Sequence, residues 1–435
     1  MESKTLSPGR MVQNKTSSYT LESLHPDVLV LLLSAVTSLD DLSACIHASP
    51  VLYRVFLLYK TSILVRVSYG TLGPAIRDLL ILVRTEAQPI SSLESKVRNH
   101  MIEETVISWK KELSMGENHF PTGITEAEAV HLARVNRTVQ YFVELYASIR
   151  LAYFERELGL SAGGWSLGIR ERYYLSQAFI RCQVLRNLYG PPGRPLFDER
   201  LLITRVWTLF ESWEMEQISQ ADSFSYGLCR ALVYCEKTEE GVPPTPEYWQ
   251  AARRALREVA PGGGAVQEYA TPRSRYYKDY YPNMHSLRRR IHESTASDPA
   301  LMDRILQWRD VANGKLTRTP YKFLHYSQQL QAGTSTRPLD FPSVPRNLTT
   351  PVSADPPWGW VDAMAGRGAD RWGRDLLPQP PNGTKADVWQ ATERIFEEWR
   401  WAGFVFWEKD RAETLKTKGL LGEKIATGWL IAPWE

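Results

Sequence analysis

The run from Leu24 to Tyr59, LHPDVLVLLLSAVTSLDDLSACIHASPVLYRVFLLY, decides the fold class. It is dense in Leu, Ile and Val, and its breaks fall where helices begin. Pro26 and Pro50 each suit a first helical turn, where the N–H that proline lacks would have no partner anyway. Ser38-Leu39-Asp40-Asp41 offers an N-cap followed by acidic residues, which favour the positive end of a helix dipole. Gly73-Pro74 marks one more start. The pattern predicts short helices near 26–36, 39–47, 50–58, 60–69 and 74–85.

Working outward, the helical character persists. Helices are expected over 92–115 and 124–158. Thr125-Glu126-Ala127-Glu128 has the form of a capping box at the start of the second. Beyond it Val130, Ala133, Val135, Val139, Phe142, Val143, Leu145, Tyr146 and Ile149 follow a period near 3.6, so one face should be buried. Further helices are read at 170–189, 198–218, 223–237 and 245–258, with Gly190-Pro191-Pro192-Gly193 breaking two of them apart. No convincing run of alternating strand residues occurs.

The character changes after Pro261-Gly262-Gly263-Gly264. A loop-like stretch to about 285 is followed by helices near 299–312, 320–331 and 386–401, separated by proline-rich segments. Nine of the 15 tryptophans fall between Trp358 and Trp434, so this end of the chain is set apart by composition. The expectation is an all-α protein in four parts. These are a disordered tail (1–20), a helical module (21–86), a helical body (87–260), and a loop-rich, Trp-rich region (261–435) packed on that body.

Composition narrows the function classes. Fifty-two Lys and Arg against 49 Asp and Glu leave a net charge of +3 over 435 residues, too balanced for an electrostatic nucleic-acid binder. Cys45, Cys182, Cys229 and Cys235 include no CxxC pair and cannot form a disulfide framework or a thiolate zinc site. The first 23 residues lack the apolar core of a secretory signal, and the longest apolar stretch, Val28 to Val36, is far short of a membrane span. The four Asn-x-Ser/Thr matches, at Asn14, Asn136, Asn347 and Asn382, are therefore read as unglycosylated. The expected location is cytoplasmic or nuclear, with no membrane association.

At the N-terminal module the residues resemble a known pattern. Leu24-His25-Pro26-Asp27-Val28-Leu29, Leu32-Leu33, Leu39-Asp40-Asp41-Leu42 and Ala48-Ser49-Pro50-Val51-Leu52-Tyr53 are similar to the F-box, most closely to the divergent F-box-like proteins of filamentous fungi. His25 is inserted between Leu and Pro relative to the simplest form, and Asp27 stands where Glu is usual. Two later patches resemble the same group: Trp213-Glu214-Met215-Glu216-Gln217-Ile218, and Pro357-Trp358-Gly359-Trp360 with the segment Trp401 to Glu408. The resemblance implies a three-helix unit that presents Pro and Leu side chains to a helical adaptor subunit of an SCF-type ubiquitin ligase. The adaptor contacts carried over by position are Leu24, Pro26, Val28, Leu29, Leu32 and Leu42. The alternative for these leucines is that they face only the protein's own core.

Other constellations offer less. None of the eight histidines forms HExxH or HxH, and His285 and His292, which flank Arg288-Arg289-Arg290, read as part of a solvated basic helix face. The tyrosines Tyr276, Tyr277, Tyr280 and Tyr281 beside Arg273, Arg275 and Lys278 superficially suit base stacking, but Asp279 and the nearby prolines favour a packed loop, and nucleic acid is not expected as a partner. Gly262-Gly263-Gly264 lacks the ending of a P-loop, and no Gly-x-Ser-x-Gly elbow is present. Glu214 and Glu216 lie about 200° apart around a helix and cannot share one site. Cys229 and Cys235 read as structural thiols.

The C-terminal aromatics carry two readings. Trp358, Trp360, Trp399, Trp401, Phe404 and Trp407 are candidates for a groove that takes a protein target or a small ligand. Alternatively they pin the proline-rich wrap to the helical body. The function expected is a non-enzymatic F-box-like interaction protein, in its stronger form the substrate receptor of an SCF-type ubiquitin ligase, with an unknown protein target. The alternative is a helical enzyme or ligand-binding protein with a pocket at the Trp-rich region. No catalytic residue, metal site or cofactor is expected.

Overall fold

Local signals start the first helices. In the computed structural model, which describes residues 21–87, 95–115, 120–158, 166–189, 209–210, 212–237, 284–302, 357 and 403–418, the protein is all-α, with no strand among the described residues. Helix α1 (Pro26–Ser34) has Pro26 in its first turn, and the Nδ1 of its cap His25 accepts from the Asp27 N–H at a long 3.4 Å. Helix α2 (Leu39–Ala48) starts at Ser38, whose Oγ accepts from the Asp41 N–H at 3.0 Å. Helix α3 (Pro50–Leu72) is capped by Ser49 and stopped by Gly73, whose φ of 55° suits a residue without a Cβ. The two short helices expected at 50–58 and 60–69 are one kinked helix, and the kink is at Tyr59, the residue between them (φ −118°, ψ 23°).

Helices α1 and α2 both pack on α3. The next helix, α4 (Ile76–Ala87), is central among the described helices. Every residue from Ile76 to Val83 is buried, and α5 (Ser95–Ser114), α6 (Glu126–Leu158) and α7 (Ile169–Tyr189) pack around it. A helix apolar on most of its faces finds its energy minimum inside such a ring of neighbours. The packing therefore runs across the boundary expected at 86, with α3 on α6 and α4 on α5, α6 and α7.

Helix α6 begins with the predicted capping box. The Thr125 N–H donates to Glu128 Oε2 at 2.9 Å, and the Glu128 N–H donates to Thr125 Oγ1 at 3.2 Å. Of the predicted stripe, Val135, Val139, Phe142, Val143, Leu145, Tyr146 and Ile149 are buried, and Val130 and Ala133 pack at its edge. Helix α8 (Ser212–Lys237) joins the end of the helix expected at 198–218 to the one expected at 223–237, and 198–208 lie outside the described residues. Leu209 and Phe210 lie outside it, and there is no break near 219–222, because Ile218, Ala221, Ser225, Leu228 and Leu232 continue one buried stripe. The expected helices at 245–258, 320–331 and 386–401 lie outside the described residues.

Two later pieces sit on this body. Helix α9 (Met284–Ser297) packs on α6 and α8, and its first N–H donates to Gln183 Oε1 of α7 at 3.0 Å. The 3-10 turn Phe404–Phe406 contacts α7 and α8 and leads into helix α10 (Lys409–Thr417). The core is continuous from Leu29 in α1 to Leu415 in α10.

Candidate functional site

Helix α1 has two opposed faces. Leu29 and Leu33 turn inward and are 1% and 2% exposed. Val28, Leu31 and Leu32 fall within an arc of about 100° on the outer side, and they are 41%, 58% and 43% exposed. Leu21 and Leu24, just before the helix, are exposed as well. On α3 the same is true of Tyr53, Leu57, Leu58 and Tyr59. Nine of the thirteen large hydrophobic side chains exposed among the described residues thus lie between Leu21 and Tyr59. Single exposed leucines are ordinary, but such a concentration on one small unit is not.

The six residues carried over from the F-box resemblance divide by burial. Leu24, Pro26, Val28 and Leu32 are exposed, and Pro26 sits at the outer start of α1. Leu29 and Leu42 are core residues, 1% and 2% exposed, so the alternative reading holds for these two. The reason is helical phase: Leu29 follows Val28 by about 100°, which carries it from the outer arc to the face against α3. Leu31, Leu57 and Leu58 were missed because the motif does not single them out; only the helix phase relative to the core reveals them.

At the other end of the chain, the candidate groove is in part a filled core. Trp407 is fully buried, with its ring against Tyr146, Phe154 and Phe406 at centroid distances of 6.4, 6.2 and 6.4 Å. The backbone before it is fastened too, since Gln217 Nε2 of α8 donates to the Val405 carbonyl at 2.9 Å. Phe404 opens the 3-10 turn. Trp358, Trp360, Trp399 and Trp401 lie outside the described residues. Where it is described, this segment pins chain to body.

The pin is completed by a clamp. Arg411 of α10 donates from Nε and from one terminal nitrogen to the two carboxylate oxygens of Glu171 on α7, each at 2.8 Å. Glu171 also accepts the N–H groups of Gly168 and Glu408. The fork-to-fork pairing fixes geometry as well as charge. Burial and the nearby Glu171 charge push the Glu408 carboxyl above the ordinary carboxylate range.

A second buried polar set lies between α4, α5, α7 and α8. Asp78 Oδ1 accepts from Trp109 Nε1 at 2.6 Å, and Oδ2 accepts from Arg181 Nε at 3.0 Å. Arg181 also donates to Glu214 Oε1 at 2.6 Å and lies over the Phe210 ring. Burial works against the guanidinium charge, but the carboxylates of Asp78 and Glu214 outweigh it and hold Arg181 protonated more firmly than usual. Asp78 and Arg181 are 1% and 3% exposed, so this set holds helices together and offers no access to a substrate. Glu216 turns elsewhere, as the helix angle requires, and accepts from Gln220.

The thiols are equally internal. Cys182 and Cys229 are buried, and burial pushes the Cys182 thiol well above its ordinary value. Among the described residues no helix is long and apolar enough to cross a membrane. The basic face expected at α9 is only partly solvated: Arg289 is exposed, whereas Arg288 lies over the Tyr141 ring and His285 turns inward. No family model, curated protein or solved structure matches the chain.

Proposed function

We propose that the chain is an F-box-like interaction protein that docks a helical adaptor subunit of an SCF-type ubiquitin ligase through the outer face of α1 and the exposed apolar residues of α3. The observation that carries this reading is where the exposed apolar side chains lie. The motif positions Leu24, Pro26, Val28 and Leu32 are exposed, and the unit they belong to holds most of the exposed large hydrophobics among the described residues. A helix that buries one apolar face while leaving a second uncovered is half of a helix–helix interface. Covering leucines of this size contributes roughly 1.5–3 kcal/mol for each side chain fully removed from water, enough for a few of them to form a hot spot. In this role the protein is a receptor, and the transfer chemistry belongs to the partner subunits.

The test is a pull-down of the full chain with a purified adaptor subunit, comparing wild type with Val28→Asp/Leu32→Asp. Both positions are outside the core, so circular dichroism and the denaturation midpoint should match wild type. Adaptor held by wild type and released by this folded variant is the expected result. A folded wild type that retains no adaptor overturns the reading. Self-association lost in the same variant would assign the face to a second copy of the chain.

A further inference from the structure

We propose that Glu86, His131 and His285 form a binding site for a divalent transition metal of the zinc class, independent of the docking face. Glu86 comes from the last turn of α4, His131 from the start of α6, and His285 from the first turn of α9. Their ligand-capable atoms all lie within 4.8 Å of one another, with His131 Nε2 at 2.9 Å and His285 Nε2 at 3.6 Å from Glu86 Oε2. Tetrahedral bonds of about 2.0–2.2 Å place ligand atoms about 3.3 Å apart, in the middle of these separations. Two imidazoles and one carboxylate suit zinc, and in this set they leave a fourth position for water.

Hydrogen bonding argues in the same direction. Glu86 Oε1 and His285 Nε2 are both buried with no hydrogen-bond partner. The other nitrogen of His285 meets Thr138 Oγ1 at 3.0 Å. Thr138 Oγ1 also lies 3.3 Å from the Arg134 carbonyl, to which it can donate, and Arg288 donates to Thr138 Oγ1 at 3.3 Å. With the Thr138 hydroxyl turned to Arg134, Thr138 accepts from His285 Nδ1–H, and in that tautomer the Nε2 lone pair faces the Glu86 carboxylate. Two electron-rich atoms at that distance repel unless a cation lies between them. A partner that fixes the tautomer behind a metal-binding histidine is the usual support of such a site. The nearby cations are otherwise engaged, Arg84 with Glu128 and Arg288 with Tyr141 and Thr138. Bound metal would clip α9, which arrives from far along the chain, to α4 and α6.

The cation that competes with a metal is a proton on His285, and a titration separates the two. The full chain is freed of metal by chelator and titrated with Co(II), following visible d–d absorption, then with Zn(II) in competition. One ion per chain, with the intense bands of a four-coordinate site displaced by zinc, is the expected result. Glu86→Gln, His131→Gln and His285→Gln should each weaken binding at least 100-fold, and Thr138→Val, which changes no ligand, by about 10–100-fold. Absence of these bands at millimolar Co(II), or affinities within twofold of wild type in the folded ligand variants, overturns the proposal in favour of the proton. His285→Gln at the start of α9 carries the comparison if a variant in α4 or α6 fails to fold.

Discussion

Helices α1 and α4 are both leucine-rich and lie within the same stretch of sequence, yet they meet opposite fates. In α4 every residue from Ile76 to Val83 is buried, including Arg77 and Asp78. In α1, which carries one ionisable side chain, Asp27, and so looks the more apolar, Val28, Leu31 and Leu32 stay in water. The difference is the number of neighbours. Helix α4 is enclosed by α5, α6 and α7, whereas α1 packs chiefly on α3. Apolar content predicts that a helix must be covered, but the fold supplies cover for only one face of α1. What is left over in α1 is an uncovered apolar face; what is left over in α4, the charge of Asp78, is answered internally by Arg181 and Trp109.

The sharpest way to break this comparison is to truncate one leucine on each helix. Leu79→Ala, at a fully buried position of α4, should cost about 2–5 kcal/mol, because it removes transfer free energy and leaves a cavity. Leu32→Ala in α1, at 43% exposure, should stay within about 0.5 kcal/mol of wild type. Urea unfolding of the two variants reads the difference directly. Equal losses would mean that the outer face of α1 is covered in solution.

The same contrast shows what was legible beforehand. The starts of α1, α2 and α6 were readable because prolines and caps act within three or four residues of themselves. The all-α class followed from those signals and from the 3.6 period in α6. The phase of α1 was not readable, because Leu29 and Leu32 are equivalent as letters and only the position of α3 separates core from surface. The set Asp78, Arg181 and Glu214 and the set Glu86, His131 and His285 were invisible for a related reason. Their members lie tens to hundreds of residues apart, and no spacing rule connects them until α4, α6, α7, α8 and α9 are packed. His285, read as part of a basic surface, turns inward because α9 lies on α6.

A middle-sized effect probes how firmly the C-terminal segment is held to the body. Gly403 has φ of 68°, and a Cβ there would stand 2.8 Å from the Tyr146 hydroxyl and 2.9 Å from the Trp407 ring. Gly403→Ala should cost about 1–3 kcal/mol, through the left-handed backbone and the displaced rings. Hydrogen exchange should speed up over 403–418 while α1 and α3 keep their rates. Unchanged exchange at 403–418 would show that the buried Trp407 does not hold the segment.

The smallest effect separates two kinds of helix start. Helix α1 relies on His25 with one long bond, whereas α6 has reciprocal bonds between Thr125 and Glu128 and an ion pair from Arg84 to Glu128 at 3.1 Å. Burial alone would favour the protonated Glu128, but the Thr125 N–H, the Arg84 guanidinium and the Thr125 hydroxyl outweigh it and hold the carboxyl below its ordinary 4.5. A carboxyl depressed by folding stabilises the folded state fully above its unfolded value, and that contribution fades as pH falls through the folded value. Glu128→Gln should therefore cost about 0.3–1 kcal/mol at pH 7, the range for a charge at a helix N-terminus. The gap to wild type should hold down to about pH 4.5 and close below it, because the protonated acid and the amide are then alike in charge. His25→Ala, by contrast, should shift stability by no more than a few tenths of a kcal/mol, since a cap bond at 3.4 Å is close to the limit for a hydrogen bond. Denaturation midpoints of both variants across pH 3 to 7 decide the point. A gap for Glu128→Gln that persists undiminished at pH 3 would assign the effect to lost shape complementarity, and the capping box of α6 would then be no stronger electrostatically than the single bond that starts α1.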